Sequence, residues 1–159
     1  MRLARTIRFD GSDVNVFELA AEPGEWAVSG TFEFSNWTEA DITGKRRQAF
    51  ANGWLGLDSF GRATFVAVAD ITPAEYEAAV DALARHFVEA YGAPDLDAAR
   101  PVAADELADM RAMCEDHDPN TLLVVSRELV PAGVAEAIRT ISPQDAPLDI
   151  VAIHGDAGG

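Results

Sequence analysis

Residues 62–94 set the frame for everything around them. The run Arg62-Ala63-Thr64-Phe65-Val66-Ala67-Val68-Ala69-Asp70-Ile71 is almost continuously apolar and rich in β-branched residues. That pattern predicts a central strand covered on both faces. Directly after it, Thr72 can cap a helix, Pro73 suits the first helical position, and Glu75 completes a capping box. Tyr76, Ala79, Val80, Leu83, Phe87 and Ala90 keep helical spacing, while Glu77, Asp81, Arg85 and Glu89 fall on other faces. Gly92 ends the helix and Pro94 prevents its resumption. The helix is expected to bury Tyr76, Val80, Leu83 and Phe87 against a sheet.

The segments before this unit read as strands. Leu3, Ile7 and Phe9 share one parity, Asp10-Gly11-Ser12-Asp13 is a turn cluster, and Val14 to Ala20 is expected to return as a second strand. Pro23 and Gly24 suit a type II turn. Trp26, Val28, Phe32 and Phe34 then face one way, with Ala27, Ser29, Thr31, Glu33 and Ser35 facing the other. Three strands on short turns make a meander with one apolar face. Thr38 and Asp41 give a helix-start signal. Ile42, Lys45, Arg46, Ala49 and Phe50 fit a short helix, which Gly44 weakens by up to about 1 kcal/mol. Gly53, Gly56 and Gly61, with Trp54, Leu55, Leu57 and Phe60, read as a tight apolar loop.

Beyond the capped helix, Asp95 to Pro101 reads as a connector. A second helix is expected from about Ala103 to Asp116, with Leu107, Met110 and Cys114 on one face. Thr121 to Leu129 reads as a strand, and residues 132–141 as a short helix burying Val134, Ile138 and Ile141. Leu148 to Ile153 fits a last edge strand before a frayed Gly158-Gly159 end. Strands gather early and helices late. The expected fold is therefore α+β, a mainly antiparallel sheet with helices packed on one face. Residues 1–142 make one domain and residues 143–159 a C-terminal tail.

Charge narrows the partners. The 159 residues carry 12 Lys and Arg against 27 Asp and Glu, a formal charge of −15. Nucleic-acid backbones and anionic membrane surfaces both attract clustered cations, so neither is an expected partner. Three arginines interrupt the N-terminus, no uninterrupted apolar core follows them, and no run approaches the length of a membrane span. A cytoplasmic location is the expectation. The single Cys excludes an internal disulfide.

Against this acidic background, Lys45, Arg46 and Arg47 are the only three consecutive cations. Three positive charges on one helical turn repel one another unless carboxylates or an external anion lie nearby. The cluster has two readings, neutralisation by internal Asp and Glu, or recognition of a carboxylate, a phosphate or an acidic partner through the arginine fork. Trp54 and Phe60 follow, either as core residues or as an apolar wall for a ligand. Gly44-Lys45-Arg46 is no phosphate loop, because Glu39 and Arg46 stand where the motif needs Gly and Ser or Thr.

Cys114 and His117 lie three residues apart near a helix end, a spacing that can supply two zinc ligands. A structural zinc site needs four ligands, so no metal and no cofactor are expected. The alternatives are a Cys-His nucleophile pair, or a buried thiol beside a helix-terminal imidazole. The chain has no Gly-x-Ser-x-Gly, no His-Glu-x-x-His and no dinucleotide glycine fingerprint.

Gly24-Glu25-Trp26-Ala27-Val28-Ser29-Gly30, Ala49-Phe50-Ala51-Asn52-Gly53-Trp54-Leu55-Gly56 and Pro119-Asn120-Thr121-Leu122-Leu123 together give a resemblance. The chain resembles an uncharacterised family of short acidic proteobacterial proteins, with the similarity spanning most of residues 1–142. The resemblance implies a bacterial cytoplasmic protein and brings no catalytic residues. The function expected is a non-catalytic accessory or binding protein that recognises a protein partner or a small anionic ligand, with homo-oligomerisation left open. The competing class is a small metal-independent enzyme acting on an anionic metabolite. The expected binding residues are Lys45, Arg46, Arg47, Trp54 and Phe60.

Overall fold

The first strand of the chain lies in the middle of its sheet. The computed structural model describes residues 1–141, and in them β1 (Arg2–Ile7) pairs with β2 (Trp26–Val28) on one side and β5 (Phe65–Asp70) on the other. Beyond β2 come β3 (Trp54–Gly56) and β4 (Arg62–Ala63); beyond β5 come β6 (Leu122–Val130) and β7 (Gly133–Ile141). The seven strands follow the order β4-β3-β2-β1-β5-β6-β7, every neighbouring pair antiparallel. The fold is α+β, as the sequence predicts.

Small residues fill the sheet's middle. Ala4 lies opposite Ala27 on one side and Val68 on the other, and all three are buried. In β5 the residues alternate, Val66 and Val68 fully buried and Phe65, Ala67 and Ala69 half-buried. The strand is central as expected, yet only one of its faces is fully covered.

The helix read most directly from sequence is α3 (Pro73–Tyr91). The Thr72 hydroxyl accepts the Glu75 N–H at 3.1 Å, and the Glu75 carboxylate accepts the Thr72 N–H at 3.0 Å. Gly92, in the left-handed region at φ 74°, ends it. Ala79, Val80, Leu83, Ala84 and Phe87 are buried, while Tyr76 is half-buried. The next helix, α4 (Leu96–Glu115), packs with α3 as a hairpin and lies against β1 and β2. It begins seven residues before the expected start, so the proposed connector is helical. Asp95 supplies the cap, its carboxylate accepting the Ala98 N–H at 2.8 Å. Pro101 therefore sits inside the helix, and the buried Ala99 and Ala103 on the same turns offset its missing N–H.

Three further expectations are corrected. Residues 14–20 are not a strand: α1 (Ser12–Val16) occupies that segment, and Ala20 makes only an isolated bridge to Arg62. Both edges of β1 are already taken, so a returning strand has nowhere to pair. The strand from Trp26 stops at Val28, because Gly30 turns left-handed at φ 71° and a 3-10 turn follows over Thr31–Phe34. A Cβ on Gly30 would lie 2.6 Å from the Leu55 Cβ, so no other residue fits without displacement. Residues 132–141 are not a helix but β7, joined to β6 by the two residues Pro131 and Ala132. Val134 and Ile138 lie four apart, which places them on one side of a strand as readily as of a helix. The suggested strand at 148–153 lies outside the described residues.

The short helix around the basic cluster is present as α2 (Gly44–Asn52), preceded by a 3-10 turn at Glu39–Asp41 that carries the Thr38–Asp41 capping box. It packs on β6. Part of the apolar loop is β3, and the rest, residues 57–61, folds over a buried carboxylate. Glu25 accepts N–H groups from Glu22, Asp58 and Ser59 at 2.6, 2.9 and 2.7 Å, and the Ser59 hydroxyl at 2.6 Å.

Candidate functional site

Two buried arginines organise the end of the molecule that holds α2. Arg62 donates to the carbonyls of Ser29 (3.2 Å), Gly53 (3.1 Å) and Gly30 (3.1 Å), and pairs with Glu33 at 3.3 Å. Arg127 donates to Phe50 and Gly53 (both 3.0 Å), Ala49 (3.3 Å) and Ser29 (2.5 Å), and pairs with Glu136 at 3.4 Å. Arg127 thereby satisfies the last carbonyls of α2 with a positive charge, the favourable sign at a helix C-terminus. Both guanidinium groups lie over the ring of Phe34, at 4.7 and 5.1 Å. Burial lowers the pKa of each; for Arg127 it does so to about 10, with Arg62 adding to the effect.

On the Arg62 side, a groove of about 180 Å³ opens beside this network. The segment after α1 contributes Phe17, Glu18 and Leu19; the first 3-10 turn contributes Glu33; Trp37 follows; α2 contributes Lys45, Arg46 and Ala49. Phe60 and Arg62 complete it. Its charged lining is thus three cations and two carboxylates, a locally positive balance within a chain of charge −15. Arg46 lies over the Trp37 ring at 4.5 Å and reaches Asp41 only at 3.7 Å. Lys45 is exposed and makes no hydrogen bond or ion pair among the described residues.

Behind the groove, Glu33 links several groups. The Tyr91 hydroxyl donates to it at 3.1 Å. Burial, followed by the charge of Glu33, raises the Tyr91 pKa and keeps the phenol protonated. Phe60 holds φ 58°, a strained conformation for an aromatic residue, and stacks face to face on His86 at 3.8 Å. Burial lowers the His86 pKa against the opposing pull of Glu33.

Of the residues expected from sequence, Lys45, Arg46 and Phe60 meet at this groove. Arg47 does not line it; its guanidinium extends toward the Ile42 carbonyl at 3.5 Å. Trp54 is fully enclosed in the core, with no partner for its indole N–H among the described residues, so it offers no surface to a ligand. Trp37 is the indole that lines the groove. Glu33, Trp37 and Arg62 escaped the sequence reading. Arg62 carried one signal, as the only cation in an otherwise apolar run. Cys114 is buried, and burial pushes its thiol up to about 12, which disfavours the thiolate that nucleophilic attack needs. The His117 backbone N–H bonds the Cys114 carbonyl at 3.1 Å, and its carbonyl accepts from Arg2 at 2.6 Å. Among the described residues, no three His, Cys, Asp or Glu side chains are grouped so as to hold a metal ion.

On the Arg127 side lies a second cavity of about 440 Å³. Glu106, Asp109 and Glu136 line it together with Phe32, Met110 and Met113. Burial, then Asp109 and Glu136, raises the Glu106 pKa.

A curled antiparallel sheet backed by a helical hairpin, with its polar network and groove gathered beside α2, defines an α+β protein whose chemistry is concentrated at one seam. The chain belongs to a family of unknown function, DUF6505, whose model matches residues 1–158. No curated protein and no solved structure matches it. No described helix is long and apolar enough to cross a membrane.

Proposed function

We propose that the protein is a non-catalytic binding protein whose groove receives a small anionic ligand. The observation that carries this reading is the convergence of Lys45, Arg46 and Arg62 on one concave, aromatic-walled surface of a strongly acidic chain. At a distance the molecule repels anions, so only a locally positive site can hold one. Lys45 and Arg46 also sit in the first turn of α2, where the helix dipole disfavours cations and which holds no acidic residue of its own. An anion in the groove would relieve both. The small volume favours a metabolite-sized ligand over a protein surface. An enzymatic reading has less support, because the nearby imidazole of His86 is committed to its stack on Phe60.

The test is a titration of the protein with benzoate and with inorganic phosphate, followed by tryptophan fluorescence and by amide chemical shifts. Binding of either anion, with shifts centred on residues 33–49 and 60–62 and lost in Lys45→Glu/Arg46→Glu, is the expected result. Shifts scattered over the surface, or unaffected by the charge reversals, would refute the groove as the site.

A further inference from the structure

Two carboxylates of this fold, Glu25 and Glu33, are held in very different ways, and the difference bears on what the groove accepts. Glu25 is buried and its carboxylate accepts three backbone N–H groups and a hydroxyl. It is a committed structural anion. Glu33 is about one-third exposed, accepts no backbone N–H among the described residues, and stands on a single 3-10 turn. Its ties are the 3.3 Å pair with Arg62 and the 3.1 Å hydrogen bond from Tyr91.

Arg62 is the opposite case. Its guanidinium is fixed by the carbonyls of Ser29, Gly30 and Gly53, none of which depends on Glu33. Removing Glu33 from it would therefore leave a preset, buried cation facing the groove and lacking an anion, a state that is disfavoured unless another anion replaces the first. Lys45, unpaired among the described residues, and Arg46, loosely paired, stand at the same groove to attract that replacement.

Building on the anion-binding reading above, we infer that Glu33 is an internal competitor occupying the place of the ligand's carboxylate at Arg62, and that the ligand is a monocarboxylate with a compact apolar or aromatic body. One carboxylate is what the exchange at Arg62 balances. Phe17, Leu19, Trp37 and Phe60 supply the wall for the body, and a volume of about 180 Å³ limits it to roughly the size of a single ring. The displaced Glu33 moves to solvent, and the partly exposed Tyr91 hydroxyl regains water in its place.

The experiment compares benzoate and benzylamine, which share a ring and differ in charge, on wild type, Glu33→Gln and Tyr91→Phe at fixed ionic strength. Affinities come from calorimetry and amide shifts. Glu33→Gln neutralises the competitor and is expected to tighten benzoate by about tenfold, the scale of one charge-assisted hydrogen bond. Tyr91→Phe keeps the charge and removes only the tether, so a smaller tightening is expected. It also serves as the deciding variant if Glu33→Gln does not fold. Benzylamine should bind neither variant more tightly than wild type. Benzoate binding that is unchanged or weakened in both variants would overturn the competitor and leave the anion groove standing. Benzylamine binding that disappears in Glu33→Gln would show Glu33 to be a cation anchor and overturn it equally. Failure of benzoate on all three proteins would overturn the competitor, and failure of inorganic phosphate as well would overturn the groove's anionic reading.

Discussion

Arg62 and Arg127 donate to the same two carbonyl oxygens, those of Ser29 and Gly53, although four strands lie between theirs in the sheet. In a flat sheet, five inter-strand steps of about 4.8 Å would hold β4 and β6 roughly 24 Å apart. The shared carbonyls therefore require the sheet to curl until its two sides approach. The Asn52 side chain crosses the same seam, donating to the Val125 carbonyl at 3.1 Å. Arg127, like Asn52, ties α2 to β6.

Arg127→Ala should destabilise the protein by about 3–5 kcal/mol, the range for removing one member of a buried charged network. The Ala49, Phe50 and Gly53 carbonyls would each lose one donor, Gly53 keeping Arg62 and Ala49 keeping the Gly53 N–H. Arg127→Lys should remain clearly destabilised, because an ammonium does not reproduce the planar fork that reaches four carbonyls. Urea denaturation measures both. A loss below about 1 kcal/mol for the alanine variant would show that the seam holds without the guanidinium.

Gly56 and Glu25 should prove strongly coupled. A Cβ at position 56 would lie 2.5 Å from the Glu25 Oε1, and the carboxylate has no freedom to move without releasing the 57–61 loop. Gly56→Ala should cost about 1–3 kcal/mol in the native background. In a Glu25→Ala background it should cost much less. Equal costs in the two backgrounds, read from a double-mutant cycle, would mean the clash is absorbed elsewhere.

Asp13 should give a pH signature opposite to that of an ordinary ion-paired carboxylate. It is buried, with its carboxylate accepting from the Thr64 hydroxyl at 2.7 Å, and burial raises its pKa above the usual 3.8. The native state therefore holds this proton more tightly than the unfolded state does. Between 3.8 and the raised folded value, this group alone makes stability fall as pH rises. Comparing wild type with Asp13→Asn by denaturation across the pH range upward from 3.8 isolates its share. The wild-type stability relative to the variant should decline across that range; a rise would reverse the sign of the assignment.

Leu83→Ala, in the buried face of α3, should cost about 2–5 kcal/mol, as expected for a fully buried leucine. A change under about 0.5 kcal/mol, the surface scale, would contradict the packing of that helix on the core.

The elements legible from sequence are those whose signals are local. Thr72, Pro73, Glu75 and Gly92 lie within or beside α3 and define its ends without reference to anything distant. The Asp95 cap is equally local, but Pro101 obscured it, since a proline reads as a barrier until packing decides otherwise. Residues 14–20 were misread because their pairing depends on whether the edges of β1 are free, which residues 26–28 and 65–70 determine. The groove divides the same way. Lys45 and Arg46 are neighbours in sequence, and so could be singled out. Glu33, Trp37 and Arg62 join them only because the sheet curls, and no local spacing encodes that closure.

The central position of β1 has a consequence for the protein's birth. Residues 2–7 leave the ribosome well before residues 65–70, one of their two hydrogen-bonding partners. At synthesis rates of about 5–20 residues per second, the strand waits several seconds before that partner exists. Its other neighbour, β2, supplies only the ladder at Ala4 and Arg5 in the meantime. Arg2, Arg5 and Arg8, spaced through the nascent segment, keep it charged during the interval and discourage it from pairing with another emerging chain.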